Sequence, residues 1–168
     1  ETQSARTAWS GGGTTTFRYA DVQTTVTDPM GYETVYRFDA YDRLVALEDA
    51  RGYTTWSTYD ASDNLVSETD ARGASASYAT DARGNLIGVT DRLGYEIAFV
   101  YDSQDDLTSV TDPLGRTTEI SYDTHHNPTA ITDAMGHVTR LSYDNRGQLT
   151  ALTDANGHTT TNGYDAHG

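Results

Sequence analysis

The side chains in this sequence that are best suited to chemistry are carboxylates and imidazoles that stand next to each other along the chain. Asp105 and Asp106 form an adjacent acidic pair of the kind that acid–base catalysis can use, and His125 and His126 form an adjacent imidazole pair. Both pairs lie in short segments of turn-forming residues, where solvated loop side chains are the simpler interpretation. No nucleophile elbow, phosphate-binding loop or zinc-ligand spacing accompanies them. The sequence therefore predicts a protein that is not an enzyme and that uses no cofactor.

Two further patterns suggest metal ions, but neither is sufficient. His137 and His158 are 21 residues apart, but a structural zinc site needs about four ligands, and no third ligand is evident. Aspartate and glycine recur at regular intervals, as they do in calcium-binding β-rolls, but those proteins use glycine-rich units of about nine residues. Because turn capping explains the regular aspartates without a metal, the sequence predicts no metal site.

These residues belong to a repeat that returns every 21 residues. Each repeat contains an Asp-x-x-Gly segment, a strand-like run that usually ends in an aromatic residue, a second aspartate and, in most copies, a leucine. The predicted structural turn residues are Asp28, Gly31, Asp49, Gly52, Asp70, Gly73, Asp91, Gly94, Asp112, Gly115, Asp133, Gly136, Asp154 and Gly157. The predicted repeat-core residues are Tyr59, Tyr101, Tyr122, Tyr143, Leu44, Leu65, Leu86, Leu107 and Leu149.

The spacing of each Asp-x-x-Gly segment predicts a type I turn that is closed by a left-handed glycine. The aspartate can bond to the nearby backbone, and the glycine supplies the positive φ. Pro29 and Pro113 stand at the second position, where the turn already requires their fixed φ. The second aspartate begins a similar turn, in which Gly, Asp and His can all adopt the left-handed final position. The residues at that position are Asp42, Asp63, Gly84, Asp105, His126, Gly147 and Gly168.

Thr, Val, Ile and Tyr dominate the segments between the turns, as they do in β-strands. Alternation places one apolar column of these strands opposite the leucines on a common face. A second apolar column does not fit this alternation, because it lies three places after the leucines. Its members are Val26, Leu47, Val89, Val110, Ile131 and Leu152. Either the opposite face is partly covered or a β-bulge realigns these residues, and the sequence leaves both possibilities open.

Composition limits the architecture and the partners. The chain has 168 residues, of which 36% are hydrophobic, and its formal net charge of −14 argues against binding to nucleic acid. No apolar run reaches the roughly 20 residues that a membrane-spanning helix needs. We expect an all-β fold of antiparallel hairpin repeats in which the sheet curves into a spiral wall, because a twisted sheet with one apolar face tends to coil. Residues 1–13 are expected to be a degenerate lead-in, and residues 14–168 the repeat array of a longer protein.

Tyr32, Tyr53 and Tyr95 occupy equivalent positions next to the first turn of their repeats. Exposed tyrosine rings in such a column could stack on sugar rings, so a surface adhesion or glycan-binding module is the alternative function. Packing against the strand face is the simpler interpretation of these three rings.

The segment YDNRGQLTALTDANGHTTTNGYD, residues 143–165, resembles the YD repeat of the Rhs family, which includes bacterial Rhs polymorphic toxins, insecticidal toxin complexes and the animal teneurins. The resemblance covers roughly residues 14–168, with departures at Phe38, Thr80 and Pro128. It implies a β-hairpin ribbon that spirals into a hollow shell, and in the toxin members this shell encloses a C-terminal toxin polypeptide before delivery. For this chain it implies a structural wall segment of a secreted or exported bacterial protein. The implied partners are the rest of the shell, the enclosed toxin cargo and components of a secretion system or toxin complex.

Overall fold

The computed structural model describes the backbone of residues 3–8 and 14–165, and the side chains of residues 14–165. Every regular element in these ranges is a β-strand. The chain divides into two compact units. One contains the described residues up to Tyr78 together with Asp91–Gly94, and the other contains Ala79–Thr90 and the described residues from Tyr95 onward.

The strands of each unit are short and follow one another through tight turns. In the first unit they are β1 (Gln3–Ala8), β2 (Thr14–Ala20), β3 (Gln23–Thr27), β4 (Glu33–Phe38), β5 (Leu44–Glu48), β6 (Thr54–Tyr59), β7 (Leu65–Thr69) and β8 (Ser75–Thr80). Only the part of β8 up to Tyr78 belongs to this unit. In the second unit they are β9 (Leu86–Thr90), β10 (Glu96–Tyr101), β11 (Leu107–Thr111), β12 (Thr117–Tyr122), β13 (Pro128–Thr132), β14 (Val138–Tyr143), β15 (Leu149–Thr153) and β16 (Thr159–Thr161).

Within each unit, every strand pairs antiparallel with the strand that follows it in sequence. The prediction of an all-β fold built from antiparallel hairpin repeats is confirmed. The curvature of the sheet into a spiral wall stays a prediction. Strand β1 lies within the predicted lead-in and pairs with β2, while residues 1–2 and 9–13 lie outside the described residues.

A β-bulge in the repeat explains the apolar column that did not fit the alternation. In the first unit, Leu47 lies opposite Tyr36 and Leu44 lies opposite Phe38, with a shift of register between them. Val45 is the extra residue, so two leucines that are three places apart reach the same face. The same shift follows Thr58, Val100, Ser121 and Ser142. Of the two possibilities left open by the sequence, the bulge is therefore the correct one.

Neither unit has the deep core of a globular domain. Among residues 14–165, only Ala46, Ala76 and Thr25 are buried, and no large side chain is fully buried. The predicted Tyr and Leu core residues are half-buried, as side chains that pack beside their neighbours within a single layer would be. Stability must therefore come from contacts along the sheet and from the turns at its two edges, as in other repeat proteins.

Candidate functional site

The first turn of each repeat is a small hydrogen-bonded unit built on its aspartate. In the turn that begins at Asp112, one carboxylate oxygen, Oδ1, accepts hydrogen bonds from the backbone N–H groups of Leu114 and Arg116 at 2.9 and 3.0 Å. The N–H of Gly115 donates to the carbonyl of Asp112 at 2.9 Å, and the φ of Gly115 is 76°. The other predicted first-turn glycines also have positive φ, between 81° and 87°. These residues shape one edge of the strand array.

The second turns follow the same plan with a wider choice of residues at the left-handed position. Asp42, Asp63, Asp105 and His126 adopt φ values of 61–67°, a range that is costly for most residues with a side chain. Gly84 and Gly147 fill the position in the other described copies, and Gly168 lies outside the described residues. At three of these positions the choice of Asp or His has a structural reason, because the side chains of Asp63, Asp105 and His126 bond to the neighbouring repeat.

We use the term turn clasp for a side-chain bond between two successive second turns. One partner is the residue directly after the left-handed residue of the first of these turns. The other partner is the left-handed residue of the second. In the first unit, Arg43 donates to Asp63 Oδ1 at 2.7 Å and to the carbonyl of Asp60 at 3.0 Å. The same guanidinium donates to Asp39 Oδ2 of its own turn at 2.8 Å. It also lies 5.0 Å from the ring centre of Tyr41 and 5.1 Å from that of Tyr59. One arginine therefore ties two repeats together.

The second unit contains two more clasps made from different chemistry. Asn85 donates to Asp105 at 2.7 Å, with Arg83 also paired to Asp105 at 2.8 Å. One repeat further, Asp106 pairs with the imidazole of His126 at 2.8 Å. The adjacent acids that suggested acid–base chemistry therefore take part in two different clasps. Both acids are turn residues.

The clasps were not predicted from the sequence, although the sequence contains a signal for them. The partners are 20 residues apart, one less than the repeat, so the pairs Arg43 with Asp63 and Asp106 with His126 can be read from the printed sequence. Their proximity depends on strand register, which the sequence left open because of the bulge.

The predicted Tyr and Leu columns meet through a hydrogen bond as well as through packing. The hydroxyl of Tyr59 donates to the carbonyl of Leu44 at 3.0 Å, and that of Tyr122 donates to the carbonyl of Leu107 at 2.9 Å. In both cases the bond crosses to the preceding repeat, 15 residues back. Burial, together with the nearby Asp106 and Asp102 carboxylates, raises the pKa of the Tyr122 phenol. The hydroxyl therefore remains a donor at neutral pH.

The imidazoles that lie next to first turns pair with the aspartate carboxylates of those same turns. His137 Nδ1 lies 2.9 Å from Asp133 Oδ2, and His158 Nδ1 lies 3.2 Å from Asp154 Oδ2. In the part of the chain that the structure describes, no group of three His, Cys, Asp or Glu side chains is arranged to hold a metal ion. The same described ranges contain no helix long and apolar enough to cross a membrane.

Several turn carboxylates are held in their charged form by the groups that they bind. Hydrogen bonds from the Arg116 side chain and its backbone N–H, together with the N–H of Leu114 and the arginine charge, lower the pKa of Asp112 below 3.8 despite partial desolvation. The backbone and side chain of His137 do the same for the pKa of Asp133. The carboxylates whose pKa is lowered are Asp39, Asp60, Asp70, Asp81, Asp112, Asp123, Asp133 and Asp154.

Acid is therefore expected to destabilise the array through its turns. A carboxylate whose pKa is lower in the folded than in the unfolded chain stabilises the fold above the unfolded pKa, and this contribution is lost as pH falls through the folded pKa. Stability should be nearly constant down to about pH 5 and should decrease below about pH 4. Urea denaturation at a series of pH values tests this. Asp112→Asn, which keeps an acceptor but cannot ionise, should make the decrease smaller, and an unchanged acid profile would contradict the assignment.

In the described part of the second unit, Gly147 supplies no side chain for a clasp with Asn127, and this position allows a gain-of-contact test. The Cβ of an alanine at position 147 would lie 3.6 Å from Asn127 Oδ1, an ordinary contact distance. Gly147→Asp should recreate the bond that Asn85 makes to Asp105, whereas Gly147→Ala should only strain the backbone, by about 1–2 kcal/mol. The aspartate variant is expected to be clearly the more stable of the two in urea. Equal stabilities would show that the clasp contributes nothing.

The three tyrosines next to the first turns are partly exposed to solvent. Tyr32, Tyr53 and Tyr95 are 56%, 60% and 55% exposed. The predicted packing of these rings against the strand face stays a prediction.

The repeat geometry agrees with comparisons to known proteins. A family model described as RHS Repeat matches residues 23–54, 38–76, 81–117 and 122–159. The chain belongs to the RHS repeat family. No curated protein sequence gave a significant match.

Solved structures with similar folds include large toxin assemblies. One is the pore form of the Photorhabdus luminescens Tc holotoxin with a TccC3 mutation, with 16% identity and a TM-score of 0.54 over 89% of this chain. Another is TcdB2-TccC3, with 16% identity and a TM-score of 0.57 over 89% of this chain. At this level of identity the similarity establishes a shared fold. The region that matches this chain is 12% of the length of the first of those two chains and 11% of the second.

Proposed function

We propose that this chain is a structural wall segment of an Rhs-type shell that encloses a C-terminal toxin polypeptide before delivery. In this proposal the segment is non-catalytic and belongs to a secreted or exported bacterial protein. Its partners are the remaining repeats of the same shell, the enclosed cargo, and components of a toxin complex or secretion system.

The observation that carries the proposal is that, within each unit, the described residues form a layer of antiparallel hairpins without a deep core. Such a layer is suited to separating two spaces, because it contributes area with little thickness. Turn clasps and Tyr hydroxyl bonds join several neighbouring repeats within each unit, as in Arg43 with Asp63 and Tyr122 with Leu107. A wall needs this continuity between repeats more than it needs a pocket.

The proposal is tested in the full-length protein by changing the number of repeats. Deleting residues 81–122, two complete periods, should open the enclosure and make the cargo sensitive to an added protease. As a matched control, residues 81–122 are replaced with residues 39–80 of the same chain, which keeps the length and the repeat. The control should protect its cargo as the wild type does. Equal protection of cargo in the deletion variant would overturn the proposal.

A further inference from the structure

Two exposed tyrosine rings lie in consecutive repeats along the first-turn edge of the first unit. Tyr32 and Tyr53 each come directly after a first-turn glycine and are 56% and 60% exposed. Their backbone N–H groups donate to the aspartates of their own turns, which fixes where each ring starts. Among the described residues, nothing bonds to either hydroxyl. Both rings therefore offer a face and a polar group to a partner.

A groove lies between the first turns that begin at Asp28 and Asp49. It has a volume of about 550 Å³, and its lining includes Val26, Tyr32 and Arg51. Each of the two carboxylates uses Oδ1 to bind its own turn, and no donor among the described residues reaches either Oδ2. The Arg51 guanidinium makes no ion pair with a described residue. The groove thus combines an apolar surface with free acceptors and a free donor.

The spacing of the two tyrosines matches the period of one kind of peptide backbone. Equivalent positions of consecutive hairpins are about 9.6 Å apart, because two strand spacings of about 4.8 Å separate them. A polyproline II helix has three residues per turn and rises about 3.1 Å per residue, so every third side chain returns to the same side after about 9.3 Å. A polyproline II segment that lies along the turn edge can therefore present one side chain to each tyrosine.

We propose that this turn edge docks a proline-rich polypeptide segment that carries a basic residue at one end. The proline rings pack on Tyr32 and Tyr53, as such segments do in other aromatic-lined grooves. A polyproline II backbone makes no internal hydrogen bonds, so its carbonyl groups accept from the tyrosine hydroxyls and from Arg51. The free Oδ2 atoms of Asp28 and Asp49 accept from the basic residue. The net charge of −14 favours a basic partner in the same way.

The second unit provides an internal control, because its equivalent positions lack this pattern. Tyr95 is followed one and two repeats later by Arg116 and His137, so no two consecutive repeats carry a tyrosine there. The Arg116 guanidinium bonds to Asp112 Oδ2 at 2.6 Å, and the His137 imidazole lies 2.9 Å from Asp133 Oδ2. The carboxylate oxygens that are free in the first unit are occupied at these two turns.

The test is an NMR titration of the whole chain with an acetylated peptide that consists of one arginine followed by nonaproline. This peptide should bind and should shift the signals of Tyr32 and Tyr53. Replacement of its arginine by glutamate should weaken binding about tenfold, because the charge-assisted bonds to the two carboxylates are lost. A glycine-serine peptide of the same length with the same arginine should not bind, because it has the charge without the polyproline II conformation.

Variants of the chain identify the docking surface. Tyr32→Ala and Tyr53→Ala should each weaken binding of the arginine–proline peptide by about two- to tenfold, and the control Arg116→Ala should leave it unchanged. Ala74 occupies the equivalent position in the next repeat of the first unit. Ala74→Tyr adds a third ring to the row and should tighten binding of a longer arginine–proline peptide by a similar factor. Urea denaturation of each variant separates lost binding from lost folding.

Three results would overturn this inference: no peptide binding at millimolar concentration, unchanged affinity in folded Tyr32→Ala and Tyr53→Ala variants, or equal binding of the glycine-serine peptide. Sedimentation analysis addresses another occupant. Self-association of the chain that Tyr32→Ala abolishes would show that a second copy fills the groove, and it would also overturn the inference. The outcome is independent of the shell proposal, because cargo protection and peptide binding are separate measurements on separate variants.

Discussion

Replacement of Gly115 by valine is expected to lower the free energy of unfolding by about 1–3 kcal/mol. The φ of Gly115 is 76°, where a β-branched residue is severely strained. A Cβ at this glycine would meet nothing within 4 Å, so the cost comes from the backbone alone and not from a clash. Urea denaturation followed by far-ultraviolet circular dichroism measures the change.

Asparagine at the same position is the matched control. It adds a side chain but tolerates the left-handed region much better than valine does. Gly115→Asn should therefore cost clearly less than Gly115→Val. Amide hydrogen exchange should locate the loss of protection at the turn bonds between Asp112 and Arg116. Equal costs for the two variants would mean that the turn does not require positive φ.

Truncation of Tyr122 is expected to have an effect of similar size for a different reason. Its ring is half-buried on the sheet, and its hydroxyl bonds to the carbonyl of Leu107 at 2.9 Å. Tyr122→Ala should cost about 2–3 kcal/mol, less than a fully buried aromatic residue would. Tyr122→Phe keeps the ring and removes only the hydrogen bond, so it should cost about 1 kcal/mol.

The difference between the two Tyr122 variants separates ring packing from the hydroxyl bond. Thr80 occupies the equivalent position in another repeat and provides a comparison within the same chain. Thr80→Tyr should stabilise the array if the column contributes as described. If Tyr122→Phe is as damaging as Tyr122→Ala, the hydrogen bond and not the ring carries the contribution.

The regular spacing made the strands and turns predictable, because short-range chemistry determines both. The Asp112 to Gly115 segment needs an acceptor at its start and a positive φ at its end, and few residue types provide these. Alternation alone could not place Leu47, because a covered face and a bulge give the same sequence pattern. The register opposite Tyr36 decides between them, and it depends on pairing between strands.

The clasps and the exposed tyrosines were harder to predict for related reasons. From the sequence alone, Arg43 has the features of an ordinary surface arginine. Its contacts with Asp63 and the Tyr59 ring depend on the strand register. The exposure of Tyr32 depends on how little the next repeat covers it, and a sequence pattern does not give that quantity. Local conformation was therefore predictable, whereas contacts between repeats were not.

The thinness of the layer has a thermodynamic consequence. The heat capacity change of unfolding arises mainly from newly exposed apolar surface and is about 12–15 cal/mol/K per residue in globular proteins. Because the described part of this chain buries no large side chain completely, its heat capacity change per residue should be smaller. A small value flattens the dependence of the free energy of unfolding on temperature and moves cold denaturation further from ambient conditions. Such a sheet would lose little of its stability when it is cooled.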